Sequence, residues 1–451
     1  MKMRFKTCLK VLLVLAAAIT AGTVLMMAVY LLPVGAIKEN AADSADIFAA
    51  EGNYPKLIQR RFNTTLDNWT DATILAEAAY DGEENAAVKA MLNFHEEVTG
   101  ENQAESFVRI YSGEEGLNIQ KAEYGRYWHG YLLFIKPLLM VMNYGGLREL
   151  MAFVQLMLFA ILEYELIRRK KGIYAVPTAF VYALLNPAAV SMTINYAIMF
   201  FLIFAELIFI VRHDGIYRER GNWVVHFAVV GCMTSFFDYL TYPLAGFGLA
   251  MLLLLALYPD KPAEDLIQTV KSGAAWIFGY VGMWGSKWII GTCISGVNII
   301  ENARDTVAMR SGGDVGEGFS RLALSFNAIY KNLSAGRLVL GITLLAVLGC
   351  LVRACVRKTR PDIRRLLLLC AFMAAPLLWY AFAANHSYIH YFFTYRTLSV
   401  SVFAALMFGF ELAGLNGGAA PLQPETEDLC AGGAAVPSGG VCDMLFGAGI
   451  E

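Results

Sequence analysis

Two aspartates four residues apart, Asp67 and Asp71, open the stretch LDNWTDATILAEAAYDG (Leu66–Gly82). Carboxylates at i and i+4 share one face of a helix. Such a pair can take the proton of a hydroxyl nucleophile, or hold a divalent cation together with water. The same positions suit helix initiation: Asp67 or Thr70 as an N-cap, and Asp71 in the first turn, where the helix dipole favours an anion. Residues from Thr73 to Ala79 are fair to good helix formers and Gly82 stops the run. The spacing predicts a helix and leaves both roles open.

Other residue types that could work beside a carboxylate lie further along. EYGRYWHGY (Glu123–Tyr131) sets Arg126 and His129 among aromatics that suit either sugar stacking or a membrane-interface belt. HGYLLFIKPLLMVM (His129–Met142) carries Lys136 beside Pro137, and NHSYIHYFFTYR (Asn385–Arg396) puts His386 and His390 at i and i+4 ahead of Arg396. Asp238 and Glu206 sit within apolar runs, which makes each a functional candidate by default. For Asp238 a loop-turn role and a substrate-facing role stand level, and Glu206 is expected to have a buried structural partner. Lys287 is expected to snorkel out of its run, and Glu165 to pair with Arg169 along a helix.

These residues are embedded in a chain of membrane composition. Of 451 residues 57% are hydrophobic and 16% charged, with a mean hydropathy of +0.50, above what a soluble domain of this length carries. The net charge of −2 hides a local asymmetry and points to no nucleic-acid partner. The eight cysteines, Cys8, Cys232, Cys293, Cys350, Cys355, Cys370, Cys430 and Cys442, form no CxxC spacing, so neither a zinc site nor a disulfide framework is implied.

Apolar runs of spanning length lie near 11–33, 147–167, 173–190, 195–211, 222–240, 242–257, 274–294, 336–354, 364–383 and 397–414. The expectation is therefore an all-α polytopic membrane protein of about ten transmembrane helices, with both termini cytoplasmic. Basic residues in MKMRFKTCLK hold the N-terminus inside. The first run is longer than a signal h-region, so an uncleaved anchor over 1–33 is favoured over a cleaved signal peptide. RRKK (Arg168–Lys171), RHDGIYRER (Arg212–Arg220) and RACVRKTRPDIRR (Arg353–Arg365) should also face the cytoplasm. They do so only if His129–Met142 does not cross but lies at, or dips into, the outer surface.

The outer side then holds a large first loop, 34–146, with an acidic helix and a surface helix. Between 34 and 128 it carries 17 Asp and Glu against 8 Lys and Arg. A nine-span bundle over 147–414 follows, interrupted by a glycine-hinged outer loop at 295–335. Residues 415–451 read as a disordered cytoplasmic tail.

The order of an anchor helix, an outer loop with an acidic helix start, an aromatic-basic segment, a proline-bearing surface helix and a Gly-Leu-Arg step into the next span resembles the GT-C class of membrane glycosyltransferases. Within that class it is most similar to protein O-mannosyltransferases and lipid A aminoarabinose transferases. Asp67-Asn68 ahead of AEAAYDG, IKPLL (Ile135–Leu139) and NYGGLRELM (Asn143–Met151) carry the resemblance, which covers about the first 170 residues. Asn68 stands where those enzymes have a second acid, and the second proline of their motif is absent.

The resemblance implies a sugar carried on a polyprenyl phosphate and passed, with inversion, to a glycan, polymer or lipid acceptor on the outer face of the cell membrane. Asp67, or alternatively Asp71, would be the general base. Arg126, His129, Lys136, His386, His390, Arg396 and Asp238 would serve the lipid-phosphate donor or the acceptor, with Mg²⁺ or Mn²⁺ as the cofactor to consider. Two rivals are a transporter or flippase of lipid-linked sugars, which should show internal repeats and broken mid-membrane helices, and a non-catalytic membrane scaffold. No convincing repeat is visible in the sequence.

Overall fold

The computed structural model describes residues 5–312 and 320–415. It opens with α1 (Phe5–Val29). The polar segment then folds as α2 (Gly35–Ala42), α3 (Ala45–Glu51), α4 (Asn68–Ala79), α5 (Ala86–Leu92), β1 (Phe94–Val98), α6 (Gln103–Tyr111), β2 (Ile119–Glu123) and α7 (Leu132–Leu139). The helical bundle follows as α8 (Tyr144–Arg168), α9 (Ala175–Leu185), α10 (Pro187–Ser191), α11 (Ile194–Arg212), α12 (Asp214–Tyr217), α13 (Arg220–Phe237), α14 (Pro243–Leu257) and α15 (Pro262–Ser295). It is completed by α16 (Ile299–Gly312), α17 (Arg321–Arg357), α18 (Ile363–Phe382), α19 (Ala384–Ile389), α20 (Tyr391–Thr394) and α21 (Ser399–Leu412).

Each expected apolar run contains a helix. Among the described residues six segments are long and apolar enough to cross a membrane: α1, α8, α11, α17, α18 and the α20–α21 run Tyr391–Leu412. Two shorter apolar helices cover Gly172–Leu185 and Pro243–Leu257. Prolines fix several starts, at the first turns of α10, α14 and α15, where the missing N–H is harmless. α13 lies tightly against α15. A Cβ on Gly231 would fall 2.2 Å from the Trp276 carbonyl, and one on Gly279 would fall 2.3 Å from that of Ala228, so only glycine permits this approach.

The structure departs from expectation in four places. The described residues are overwhelmingly α-helical, as expected, with the addition of one short antiparallel pair, β1 and β2, that sets Phe94 opposite Glu123 and Val98 opposite Ile119. The run 173–190 is two helices, broken at Asn186 with φ +60, since Pro187 cannot continue the α9 hydrogen-bond ladder. The pieces expected on either side of the glycine hinge in 295–335 are longer helices than a loop would hold, α16 and the first turns of α17, a 37-residue helix about 55 Å long. Residues 313–319 of its glycine hinge, and 416–451 of the expected tail, lie outside the described residues. α7 is no superficial helix on its inner face, where Leu132, Ile135, Lys136 and Leu139 are all buried.

One buried lysine holds the polar segment together and another ties it to the bundle. Lys136 of α7 donates to the carbonyl of Ala78 at 2.6 Å, at the C-terminal end of α4. Lys287 of α15 donates to Ala90 at 2.7 Å, near the end of α5, and to Asn93 Oδ1 at 3.0 Å. A helix C-terminus offers unpaired carbonyls and a negative dipole end, and each ammonium meets both needs. Both side chains are fully buried. Lys287 therefore does not snorkel, and Lys136 is committed to anchoring α4 instead of facing a lipid phosphate.

Candidate functional site

α4 carries buried carboxylates at both ends. Asp67 is its N-cap: Oδ1 accepts from the Thr70 amide at 3.2 Å, and Oδ2 accepts from the Thr70 hydroxyl at 2.8 Å and Asn195 Nδ2 at 2.9 Å. Asp71 Oδ2 accepts from the Tyr144 hydroxyl at 2.5 Å and the Ile194 amide at 2.8 Å, and its Oδ1 accepts from the Asn195 amide at 3.2 Å. Ile194 and Asn195 open α11, whose N-cap Thr193 makes no side-chain cap bond, so Asp71 caps that helix from another element. Asp67 is 2% exposed and Asp71 0%. Burial pushes the Asp71 carboxyl up to about 7 against the Tyr144 and Ile194 hydrogen bonds, and also raises that of Asp67.

Asn68 brings in an acid that the sequence did not pair with it. Its amide donates at 2.9 Å to Glu51 Oε2, while Arg148 grips both Glu51 oxygens at 2.7 and 2.8 Å. The Gly-Leu-Arg step thus meets the Asp67-Asn68 pair in space, and Glu51, Tyr144 and Asn195 join them. These three had no local signature, because each comes from a different element. Arg396 is fully buried behind this group, 4.0 Å over the Tyr196 ring, with Nε donating to Leu185 O at 2.9 Å. Its NH2 has no hydrogen-bond partner among the described residues, and its charge acts on Asp67 through space.

The far half of α4 builds a second centre. Glu77 Oε2 lies 2.9 Å from His129 Nδ1, and Tyr131 and Tyr239 put their hydroxyls 2.6 and 2.8 Å from that same nitrogen. His129 Nε2 lies 2.8 Å from the Tyr124 carbonyl, which can only accept, so Nε2 carries a hydrogen. Nδ1 is then left to accept from Tyr239 or Tyr131, or to share a proton with Glu77, whose Oε2 also accepts from the Tyr131 hydroxyl at 3.0 Å. Burial raises the Glu77 carboxyl and lowers the His129 imidazole, which favours the neutral pair. Glu77 Oε1 is buried with no partner among the described residues, and His129 holds φ at +55, a strained value for a side-chain-bearing residue. Sequence reading missed Glu77, because its position passed for ordinary helix filler.

Tyr54 lies edge-on to Phe392, and partial burial, then the charges of Asp67 and Tyr124, push its phenol above the usual range. Arg126 stacks 4.2 Å over Tyr124. His386 and His390 come together with ring centres 4.9 Å apart. His386 Nε2 lies 2.8 Å from Leu240 O and its Nδ1 lies 2.5 Å from Arg310, which fixes Nδ1 as the acceptor. Asp238 belongs elsewhere, closing the turn between α13 and α14 by accepting from the amide and hydroxyl of Thr241. Of its two expected roles the structure supports the turn. Glu206 has its buried partner, His226, at 2.9 Å. Glu165 pairs with Arg169 at 3.5 Å and also with Arg168 and Arg212.

Among the described residues no group of three or more His, Cys, Asp or Glu side chains could hold a metal ion. Asp67 and Asp71 each already accept three hydrogen bonds, so they offer Mg²⁺ or Mn²⁺ at most one lone-pair site apiece. No protein-family model, curated protein or solved structure matches this chain.

A groove of about 1010 Å³ lies between the turn and 3-10 helix that precede α4 and the α17–α20 surface. Arg60, Arg61, Lys331 and Arg337 rim it, and Leu338, Ile342 and Leu345 continue it along α17. A smaller cavity of about 190 Å³ shares Arg61, Asn63, Ala335 and Leu338 with the groove and reaches Asn186. Asn186 donates at 2.7 Å to the carbonyl of Asn63, four residues before Asp67. Cations above an apolar wall suit an anion carried on a hydrocarbon chain.

Proposed function

We propose that this chain is a multi-pass glycosyltransferase of the cell membrane, of the GT-C kind, with about ten membrane crossings. In this reading it moves a sugar from a polyprenyl-phosphate donor to a glycan, polymer or lipid acceptor on the outer face. The observation that carries the proposal is the groove. Four cations and an apolar wall on α17 match an ionised phosphate on an isoprenoid chain, and the groove adjoins the segment that leads into Asp67.

In the transfer the acceptor oxygen bonds the anomeric carbon while the bond from that carbon to the phosphate oxygen breaks. The hydroxyl proton passes to a carboxylate of α4. The departing phosphate needs cations more than a proton, and the groove rim supplies them. Asp67 is the base that the resemblance selects. Glu77, whose Oε1 is free of protein donors among the described residues, is the alternative only in its carboxylate form beside an imidazolium His129.

The test is transfer from a panel of radiolabelled polyprenyl-phosphate sugars by the purified protein. Wild type is compared with Asp67→Asn, Asp71→Asn, Glu77→Gln and the double variant Arg61→Gln/Arg337→Gln, each checked for folding. Transfer by wild type that is lost in one folded carboxylate variant names the base, and a raised KM for donor in the arginine variant supports the groove. The break at Asn186–Pro187 is the one feature that favours a flippase. Movement of the lipid-linked sugar across vesicles, without transfer, decides for that rival.

A further inference from the structure

Beside the two buried aspartates at the start of α4 stands a buried cation that no acid touches. Arg148 is committed to Glu51, which it grips through both oxygens, so that pair cancels its own charge. Arg396 is fully buried, and its hydrogen bonds run to the main-chain carbonyls of Leu185 at 2.9 Å and Phe392 at 3.3 Å, and to no carboxylate among the described residues. A guanidinium keeps its charge at every ordinary pH, and a buried charge without a counter-charge is strongly destabilising. Its surroundings therefore call for one negative charge.

Tyr196 joins Arg396 to Asp67. The guanidinium lies 4.0 Å over the Tyr196 ring, and the hydroxyl of that tyrosine donates at 3.1 Å to the carbonyl of Thr65, two residues before Asp67. The residue before Tyr196, Asn195, donates its side-chain amide to Asp67 Oδ2 at 2.9 Å. Asp71 meets this side only through the main-chain amides of Ile194 and Asn195. Tyr54, Tyr144 and Tyr196 also face the two acids, but phenols are neutral near pH 7. Burial raises both carboxyls; the charge of Arg396 pulls Asp67 back down, whereas the charge of Asp67 pushes Asp71 further up, to about 7.

Hydrogen-bond chemistry divides the pair in the same way. A protonated Asp71 has somewhere to send its hydrogen: the Tyr144 hydroxyl, 2.5 Å from Oδ2, can turn to accept it and pass its own hydrogen to the Met192 carbonyl at 3.1 Å. Around Asp67 the Thr70 amide and the Asn195 side-chain amide both donate, and among the described residues no hydroxyl backed by a carbonyl is bonded to it.

We infer that Arg396 is a positioning residue that holds the negative charge of the aspartate pair on Asp67 and leaves the proton on Asp71. It acts through Tyr196 and not as a ligand of a lipid phosphate. That Asp67 is thereby kept ready as the base rests on the transferase reading; the place of the charge does not.

Infrared spectroscopy reads the charge without turnover, since a protonated buried carboxyl has a carbonyl stretch that a carboxylate lacks. The purified protein in detergent is compared with Asp67→Asn, Asp71→Asn, Arg396→Gln and Arg396→Lys, each checked by gel filtration and circular dichroism. Wild type should show one band that fades as pH rises through about 7 and is absent from Asp71→Asn. In Asp67→Asn that band should persist and fade at a lower pH, because the neighbouring charge is gone. Arg396→Gln should gain a second band, missing from Arg396→Gln/Asp67→Asn, while Arg396→Lys keeps the wild-type spectrum because it keeps the charge. A wild-type band that Asp67→Asn removes at every pH, or a folded Arg396→Gln with the wild-type spectrum, overturns the inference. If Arg396→Gln does not fold, the two aspartate variants alone decide where the proton sits.

In a protein that transfers sugar, Arg396→Gln should lower kcat by about tenfold for each unit by which the Asp67 carboxyl comes to exceed the assay pH, with KM for donor unchanged. A raised KM with kcat unchanged makes Arg396 a phosphate ligand and overturns the positioning role. The expected bands in a protein that transfers no sugar leave the charge on Asp67 and remove the transferase reading.

Discussion

The two ends of α4 hold carboxylates in opposite conditions. At the start, Asp67 and Asp71 are buried with both oxygens filled by directional donors from α4, α8 and α11. Six residues beyond Asp71, Glu77 is as deeply buried, yet one oxygen has no partner among the described residues and the other shares a nitrogen with two tyrosines. A carboxylate that accepts from three donors is first a clamp, with one of its four lone-pair sites left for a substrate. An unfilled one retains capacity for a proton or a water. The position of an acid in a motif therefore says less about its role than the number of donors that surround it.

The comparison breaks first at Asp71. Asp71→Ala strands the Ile194 and Asn195 amides, while the Tyr144 hydroxyl keeps the Met192 carbonyl at 3.1 Å, and should lower stability by roughly 2 kcal/mol or more, at about 1–3 kcal/mol per buried group left unpaired. A chemical-denaturation midpoint in detergent measures it, and a loss below about 1 kcal/mol would mean that Asp71 is no clamp. Lys287→Met comes next. It keeps the bulk and removes the bonds to Ala90 and Asn93, so about 1–3 kcal/mol should be lost. Faster proteolysis within α5 and β1 should accompany that loss, because this lysine ties them to α15.

Glu77→Gln sharpens the contrast through pH. Burial raises the Glu77 carboxyl above its ordinary 4.5, so its stabilising contribution is complete below that value and is lost as pH rises through the folded-state value. His129 is depressed from 6.5, so its contribution is present above 6.5 and is lost as pH falls. Above 6.5 only the Glu77 slope remains of the two. The wild-type midpoint should fall with rising pH there, and Glu77→Gln should remove that part of the fall while costing under about 1 kcal/mol at neutral pH. Parallel pH curves for the two proteins would show that Glu77 titrates alike folded and unfolded. The smallest effect belongs to Lys38→Ala at the surface, whose pair with Asp81 at 2.6 Å is half exposed. A change of no more than about 0.5 kcal/mol is expected, screened further by salt.

Much of the scaffold was legible because hydrophobic runs and caps are local signals. The expected apolar runs all hold helices, the α4 start falls where Asp67 and the helix formers put it, and Glu165 pairs with Arg169. The hairpin of β1 and β2 was not legible, because its partners are separated by α6 and its register depends on their meeting. Lys287 was misread because an apolar stretch does not reveal that a helix end with bare carbonyls will pack against it. His129 was picked for its aromatic neighbours, but Glu77, its partner 52 residues away, was passed over as a helix former.

By itself the sequence determined the membrane-type composition, the order of apolar and polar segments, and the acidic character of the first polar segment, because these depend only on residues near one another in the chain. Tertiary structure alone decided which acids are filled and which are not. It also decided that both lysines cap helices and that four cations from two distant segments rim one groove. Hydrogen-bond saturation and burial are properties of a residue's surroundings, and in this fold those surroundings come from residues often more than a hundred positions away in the chain.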